Sequence, residues 1–167
     1  GIRSAFPHGG CALREIHRGD LVVVDIGAKY KNYCSDMTRT FVVGKPTEKQ
    51  KKLFDIVKLA QERAYHAIKA KAKGKDIDQV ARKTIEDAGY GTNFNHGLGH
   101  GVGLEIHELP TLSSLSKDRL TAGNVVTNEP GIYFAGYGGF RIEDTVLVGK
   151  RASEKLTDGF YDLETAK

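Results

Sequence analysis

Apolar and polar positions divide the chain into a strand-like stretch, two helical stretches and a second strand-like stretch. Residues Leu21 to Val43 read as a β-hairpin. The run Leu21-Val22-Val23-Val24 is rich in β-branched residues, Tyr30-Lys31-Asn32 supplies a turn, and Thr38 to Val43 forms the return strand. Gly44-Lys45-Pro46 ends it. Thr47 then opens a helix, with Gln50 completing a capping box. Leu53, Ile56, Val57, Ala60, Ala64, Ala67 and Ile68 follow at helical spacing, until Gly74 breaks the pattern. Asp76 with Gln79 starts a second helix carrying Ile77, Val80, Ala81, Thr84 and Ile85 on one face, closed by Gly89 and Gly91. From Asn95 onward glycines crowd His96 to Gly103, too many for a helix interior. Short strand-like runs cover Gly103–Ile106, Asn124–Thr127, Gly131–Phe134 and Phe140–Val148. Strands, two helices and strands again predict an α+β fold with an antiparallel sheet.

A length of 167 residues predicts one domain with a genuine core. Hydrophobic residues make up 40% and charged residues 28%, ordinary values for a globular protein. The longest aliphatic run is Leu21 to Val24, far short of the ~20 residues that span a bilayer. Net charge is +4, with much of the lysine between Lys45 and Lys75. That stretch reads as a solvated helix face, and no nucleic-acid motif accompanies it, so neither nucleic acid nor membrane is expected as a partner. The two cysteines, Cys11 and Cys34, lack CxxC spacing and predict free thiols in a reducing, cytoplasmic setting. The N-terminus carries no secretory signal and no starting Met, which predicts a chain cut from a longer protein.

Acids occupy unusual places. Asp25 follows four aliphatic residues in a strand, and Asp36 lies in the partner strand. A hairpin centred between Tyr30 and Lys31 sets them opposite each other, with Cβ atoms about 5 Å apart. Two bare carboxylates there repel, so one takes a proton or a cation sits between them. Glu129 and Glu143 repeat the arrangement about a turn centred on Gly136. Taken singly, each of these acids suits ordinary turn or edge chemistry; jointly they call for metal. Four carboxylates with one imidazole suit Mn²⁺, and also Co²⁺, Fe²⁺ or Zn²⁺. Two such ions ~3.5–4 Å apart hold a water as hydroxide. His96, His100 and His107 cluster within twelve residues, and His8 stands alone after Phe6-Pro7. The surrounding glycines allow backbone to pass close to a ligand. His17 and His66 read as surface residues, and Tyr65 and Tyr90 as packing residues.

These segments resemble the metallopeptidase domain of the pita-bread fold, shared by methionine aminopeptidases, aminopeptidase P and prolidases. The matching motifs are Val24-Asp25-Ile26-Gly27, Ser35-Asp36-Met37-Thr38-Arg39-Thr40-Phe41, Gly99-His100-Gly101-Val102-Gly103 with Ile106-His107-Glu108, Asn128-Glu129-Pro130-Gly131, and Arg141-Ile142-Glu143-Asp144. They stand in family order along nearly the whole chain. The resemblance implies five metal ligands: Asp25 on one ion, His100 and Glu129 on the other, Asp36 and Glu143 bridging. His96, four residues before His100, and Arg141, two before Glu143, are similar to the Xaa-Pro branch of prolidases and aminopeptidase P. His8, 17 residues before Asp25, matches that branch's upstream pocket histidine. Family catalytic domains begin earlier in the chain, so the resemblance implies that residues 1–167 are the C-terminal portion of such a domain, from a larger and homodimeric protein.

The implied reaction is hydrolysis of the bond between an N-terminal residue and proline by a hydroxide held between two divalent metals. Proline's amide has no N–H, which justifies a dedicated pocket. Glu129 serves as general base and then acid. His107 and His96 stabilise the oxyanion and hold the departing residue. His8 lines the proline side, and Arg141 orients Asp36 or meets a substrate carboxylate. Competing readings are a methionine aminopeptidase, which His96 and Arg141 oppose, and a metal-free pita-bread peptide-binding module, which has no need of all five ligands.

Overall fold

The structure is a computed structural model and describes residues 1–10 and 12–164. A 3₁₀ turn at Ile2–Ala5 leads to β1 (Leu21–Ile26), β2 (Lys29–Tyr30), β3 (Tyr33–Cys34) and β4 (Met37–Val42). Helices α1 (Glu48–Ala67) and α2 (Gly74–Asp87) follow, then a 3₁₀ turn at Gly91–Asn93. The second half contains β5 (Gly99–Gly101), β6 (Glu108–Leu112), β7 (Val125–Asn128), β8 (Gly131–Phe134), β9 (Gly138–Arg141), β10 (Asp144–Leu147) and β11 (Glu154–Lys155). β11, β10, β7, β5 and β6 make one antiparallel sheet in that order. The predicted α+β class holds.

α1 begins as expected. The Thr47 hydroxyl accepts from the Gln50 amide and the Gln50 side chain accepts from the Thr47 amide. Leu53, Phe54, Val57, Ala60 and Ala64 form its buried stripe and meet Ile77, Ala81 and Ile85 of α2. α1 covers β7, β8 and β9 with their inward residues Val126, Ile132 and Phe140, while α2 packs on β6. α2 departs from expectation at its start: Lys73 caps it without a side-chain bond, and the helix begins at Gly74, not at an Asp76–Gln79 box. Gly74 lies so close to the Thr111 carbonyl that a Cβ would approach it to 2.1 Å. No helix among the described residues is long and apolar enough to cross a membrane.

The strand prediction at Gly103–Ile106 also fails; that stretch is a series of bends between β5 and β6. The glycines around His100 serve a different purpose from the one expected. A Cβ on Gly99 would meet the Thr127 carbonyl at 2.2 Å, and one on Gly101 the Leu109 carbonyl at 2.4 Å. They let neighbouring strands close on β5, and no ligand needs to be invoked.

The two hairpins differ in register from one another and, in one case, from expectation. Tyr30 pairs with Tyr33 across Lys31 and Asn32, both left-handed at φ 47° and 67°. That two-residue turn moves the hairpin centre by one position, so Asp25 faces Thr38 and not Asp36. The shift in partner is two residues, which preserves the face, and Asp25 and Asp36 become diagonal neighbours. In the second hairpin Gly131 faces Arg141 and Asn128 faces Asp144, one register centred on Gly136 as expected. Glu129 and Glu143 lie between those pairs. Cys34 is free among the described residues, and Cys11 lies outside them. His17 and His66 are exposed, while Tyr65 and Tyr90 pack against the core.

Candidate metal centre

β1 and β4 bring Asp25 and Asp36 to one end of the β8–β9 hairpin, which carries Glu129 and Glu143 at its base. Threonines stitch these strands together. The Thr40 hydroxyl donates to the Arg141 carbonyl at 2.8 Å, and the Glu143 amide donates to the Thr38 carbonyl at 3.0 Å. The Thr145 hydroxyl donates to the Asp36 carbonyl at 2.7 Å. Asp25, Asp36, His100, Glu129 and Glu143 all line one cavity of about 290 Å³, together with His8, His107 and Arg141. One carboxylate oxygen each from Asp36 and Glu143 and a ring nitrogen of His100 lie within 4.8 Å of one another.

Glu143 is the most telling member. It is 1% exposed, its Oε2 accepts from the Thr38 hydroxyl at 2.6 Å, and its Oε1 has no hydrogen-bond partner among the described residues. A buried acceptor without a partner costs about 1–3 kcal/mol. Burial, with the charges of Glu129 and Asp36, raises its proton affinity well above the usual carboxylate range. Asp36 is pushed up to about 6 by burial and by Asp25 and Glu129. The His100 imidazole Nδ1 donates to the Gly101 carbonyl at 3.0 Å, which turns Nε2 toward the acids, 3.2 Å from Glu129 and 3.8 Å from Asp36. Burial disfavours a proton there, yet the hydrogen bonds to Glu129 and Gly101 outweigh it. Burial likewise opposes charge on Glu129, but His100, His96 and Arg141 hold its carboxyl below the usual range. A divalent ion among these donors satisfies the orphaned oxygen and the crowded acids at once, so the residues fit the group.

Arg141 is placed differently from expectation. It is 3% exposed, and its guanidinium bonds Asp25 at 2.5 Å, Tyr133 Oη at 3.0 Å, the Pro7 carbonyl at 2.9 Å and Thr38 Oγ1 at 3.1 Å. Its partner is Asp25 and not Asp36. Four of its five N–H donors are committed inside the protein, so its first task is to hold the site.

His96 is likewise committed. Its Nδ1 donates to the Gly97 carbonyl at 2.7 Å, and Nε2, kept unprotonated by burial, accepts from Tyr133 Oη at 3.0 Å. It lines a second cavity of about 170 Å³ with Pro7, His8, His107 and Arg141, but has no nitrogen left to donate to an oxyanion. His107 lies tilted against His100 with ring centres 4.1 Å apart, and its ring nitrogens have no hydrogen-bond partner among the described residues. His8 is exposed at the meeting point of both cavities.

Sequence reasoning passed over Tyr133, Thr38 and Arg39. Tyr133 bridges Arg141 and His96, and burial pushes its phenol up to about 12, so it stays protonated as a donor. Alternation within Gly131–Phe134 shows only that Tyr133 faces away from Ile132; its partners are Arg141 across the same hairpin and His96 from a separate segment.

The sequence profile of metallopeptidase family M24 matches residues 1–150. An Xaa-Pro dipeptidase of Pyrococcus horikoshii is 52% identical over 157 residues, 94% of this chain and 45% of the relative. The chain therefore spans about half the length of that curated relative. The crystal structure of the prolidase from Pyrococcus horikoshii superposes with a TM-score of 0.95 at 51% identity, covering 98% of this chain and 47% of that one. The X-Pro aminopeptidase from Thermotoga maritima superposes with a TM-score of 0.96 at 44% identity, covering 99% and 47%. The architecture is the pita-bread fold of these proteins, and the chain belongs to metallopeptidase family M24.

Proposed function

We infer that this chain carries the hydrolytic centre of an Xaa-Pro peptidase. The observation that carries the reading is the convergence of four carboxylates and one imidazole on one cavity, with a buried Glu143 oxygen lacking any partner. The Xaa-Pro specificity rests on the 52% identity to a protein of that activity. Asp25, Asp36, His100, Glu129 and Glu143 would hold two divalent ions. The oxygen-rich donor set suits manganese, and cobalt, zinc or iron next. When bound, such ions polarise a scissile carbonyl and make water acidic enough to attack near neutral pH.

The chain's own residues do the rest. Glu129 takes the proton of the attacking water at a carboxylate oxygen and returns it to the leaving proline nitrogen. His107, uncommitted beside His100, donates to the developing oxyanion. His8 lines the wall against the proline side. Tyr133 and Arg141 keep His96 and Asp25 in place, and His96 shapes the smaller cavity. Cys34, free among the described residues, suits a cytoplasmic enzyme.

The test is an assay of metal-stripped protein against an Xaa-Pro dipeptide and a Met-Ala peptide, with Mn²⁺ added back. Metal-dependent release of proline is expected. Release of Met alone would move the chain to the methionine aminopeptidase reading, and no release from either would remove the peptidase reading.

A further inference from the structure

Behind the metal-facing acids lies another buried polar cluster, built on Asp144. This residue follows Glu143 and is fully buried, yet it accepts from five side chains. Arg39 Nη2 reaches it at 2.9 Å and Gln61 Nε2 at 2.5 Å. Thr157 Oγ1 donates at 3.0 Å, Tyr161 Oη at 2.6 Å, and Lys155 Nζ pairs at 3.0 Å. Three of the five donors come from residues 155–161, beyond the segment 1–150 that the family profile matches. The same stretch is anchored by backbone: the Leu156 amide donates to Thr145 at 2.8 Å, and the Val42 amide to Leu163 at 2.9 Å.

One cation is enough to neutralise a buried carboxylate, but this one has two, together with three neutral donors. The excess fixes position. Arg39 shows what is being positioned. Its Nη1 donates to the Glu143 and Thr38 carbonyls, and its Nε to the Phe160 carbonyl at 3.1 Å. Thr38 in turn donates its hydroxyl to Glu143 Oε2. A continuous chain of bonds therefore runs from the tail, through Asp144 and Arg39, to both ends of Glu143.

We propose that residues 155–161 are a strap whose hydroxyls, acting through Asp144 and Arg39, position the Glu143 carboxylate for metal. Thr157 and Tyr161 are positioning residues in this scheme. The inference rests on the metal centre proposed above. It is tested by titrating the metal-free full chain with Mn²⁺ and measuring affinity alongside kcat and KM. The double variant Thr157→Val, Tyr161→Phe keeps side-chain volume and loses both hydroxyls. Its Mn²⁺ affinity is expected to fall about 10-fold, with kcat falling and KM unchanged. Thr157→Ser keeps a hydroxyl and is expected to bind as wild type. Ile77→Val, a core change in α2 remote from the strap, lowers stability and is expected to leave Mn²⁺ affinity unchanged. Wild-type affinity in the double variant would overturn the strap, as would an equal loss in Ile77→Val. Failure of the wild-type chain itself to take up Mn²⁺ would fall on the metal centre, and on the strap with it.

Discussion

The hairpin spanning residues 21–42 and the one spanning 125–147 each deliver two carboxylates to the same cavity, but they hold them differently. In the second hairpin Glu143 is 1% exposed, flanked by buried Arg141 and Asp144, and locked through Thr38 and Arg39. In the first, the Asp25 side chain is 45% exposed, and Asp36 is held by its backbone to Thr145 with His100 Nε2 3.8 Å from its carboxylate. Burial and like charge oppose ionisation at one acid of each hairpin, Glu143 on the inner and Asp36 on the outer. The outer hairpin is a wall carrying ligands, while the inner one is the frame against which it is set.

That contrast can be broken most forcefully at Arg141, which joins the two. Arg141→Met strands Asp25, Tyr133 and a backbone carbonyl, and is expected to cost about 3–5 kcal/mol in urea unfolding. Arg141→Lys keeps the charge but not the fork, and is expected to recover only part of that loss. A change near zero would show that the hairpins are not joined through this residue.

The next largest effect separates the acids. Glu143→Gln is expected to weaken Mn²⁺ binding at least about 100-fold, more than the 10–100-fold typical of residues behind the ligands. Because burial and the neighbouring acids already oppose charge on Glu143, a neutral amide there is expected to leave the metal-free protein melting at the same temperature or higher. Asp25→Asn, on the exposed hairpin, is expected to weaken binding with no gain in melting temperature. Equal behaviour of the two variants would erase the distinction between wall and frame.

Acidity offers a subtler probe. Because Asp36 is raised from 3.8 to about 6 in the folded chain, it favours folding most below pH 3.8, and that contribution is lost as pH rises through 6. Between pH 5 and 7, metal-free wild type is expected to lose about 1 kcal/mol relative to Asp36→Asn. A constant difference across that range would mean that Asp36 does not feel the other acids. The smallest effect lies at the outer turn. Lys31 sits at φ 47°, and Lys31→Asn is expected to stabilise the chain by about 0.5 kcal/mol without altering Mn²⁺ affinity.

The two hairpins also show how far sequence reading reaches. Both acid pairs were legible because an acid inside an aliphatic strand is conspicuous. The inner register followed from a turn centred on Gly136, left-handed at φ 74°, where a glycine marks the apex. The outer one was misplaced because Tyr30-Lys31-Asn32 carries no glycine, and nothing local says that Lys31 and Asn32 alone turn the chain. The start of α2 was missed for a similar reason: Gly74 looks like a break, yet it is required by the approach of Thr111 from another segment. Thr38 and Arg39 stood inside a quoted motif but their roles were not legible, because Glu143, Asp144 and Phe160 lie more than 100 residues away; Tyr133 meets Arg141 across its own hairpin and His96 37 residues back. The family motifs brought the candidate ligands into view, whereas the commitments of Arg141 and His96 are matters of three-dimensional packing.

The central claim is that these acids crowd together to hold divalent ions, and diffraction tests it most directly. An anomalous map from crystals grown with Mn²⁺, collected at the manganese edge, is expected to show two peaks in the cavity lined by Asp25, Asp36, His100, Glu129 and Glu143. A map with the five side chains assembled and no peak among them, at Mn²⁺ concentrations that saturate the protein in solution, would contradict it.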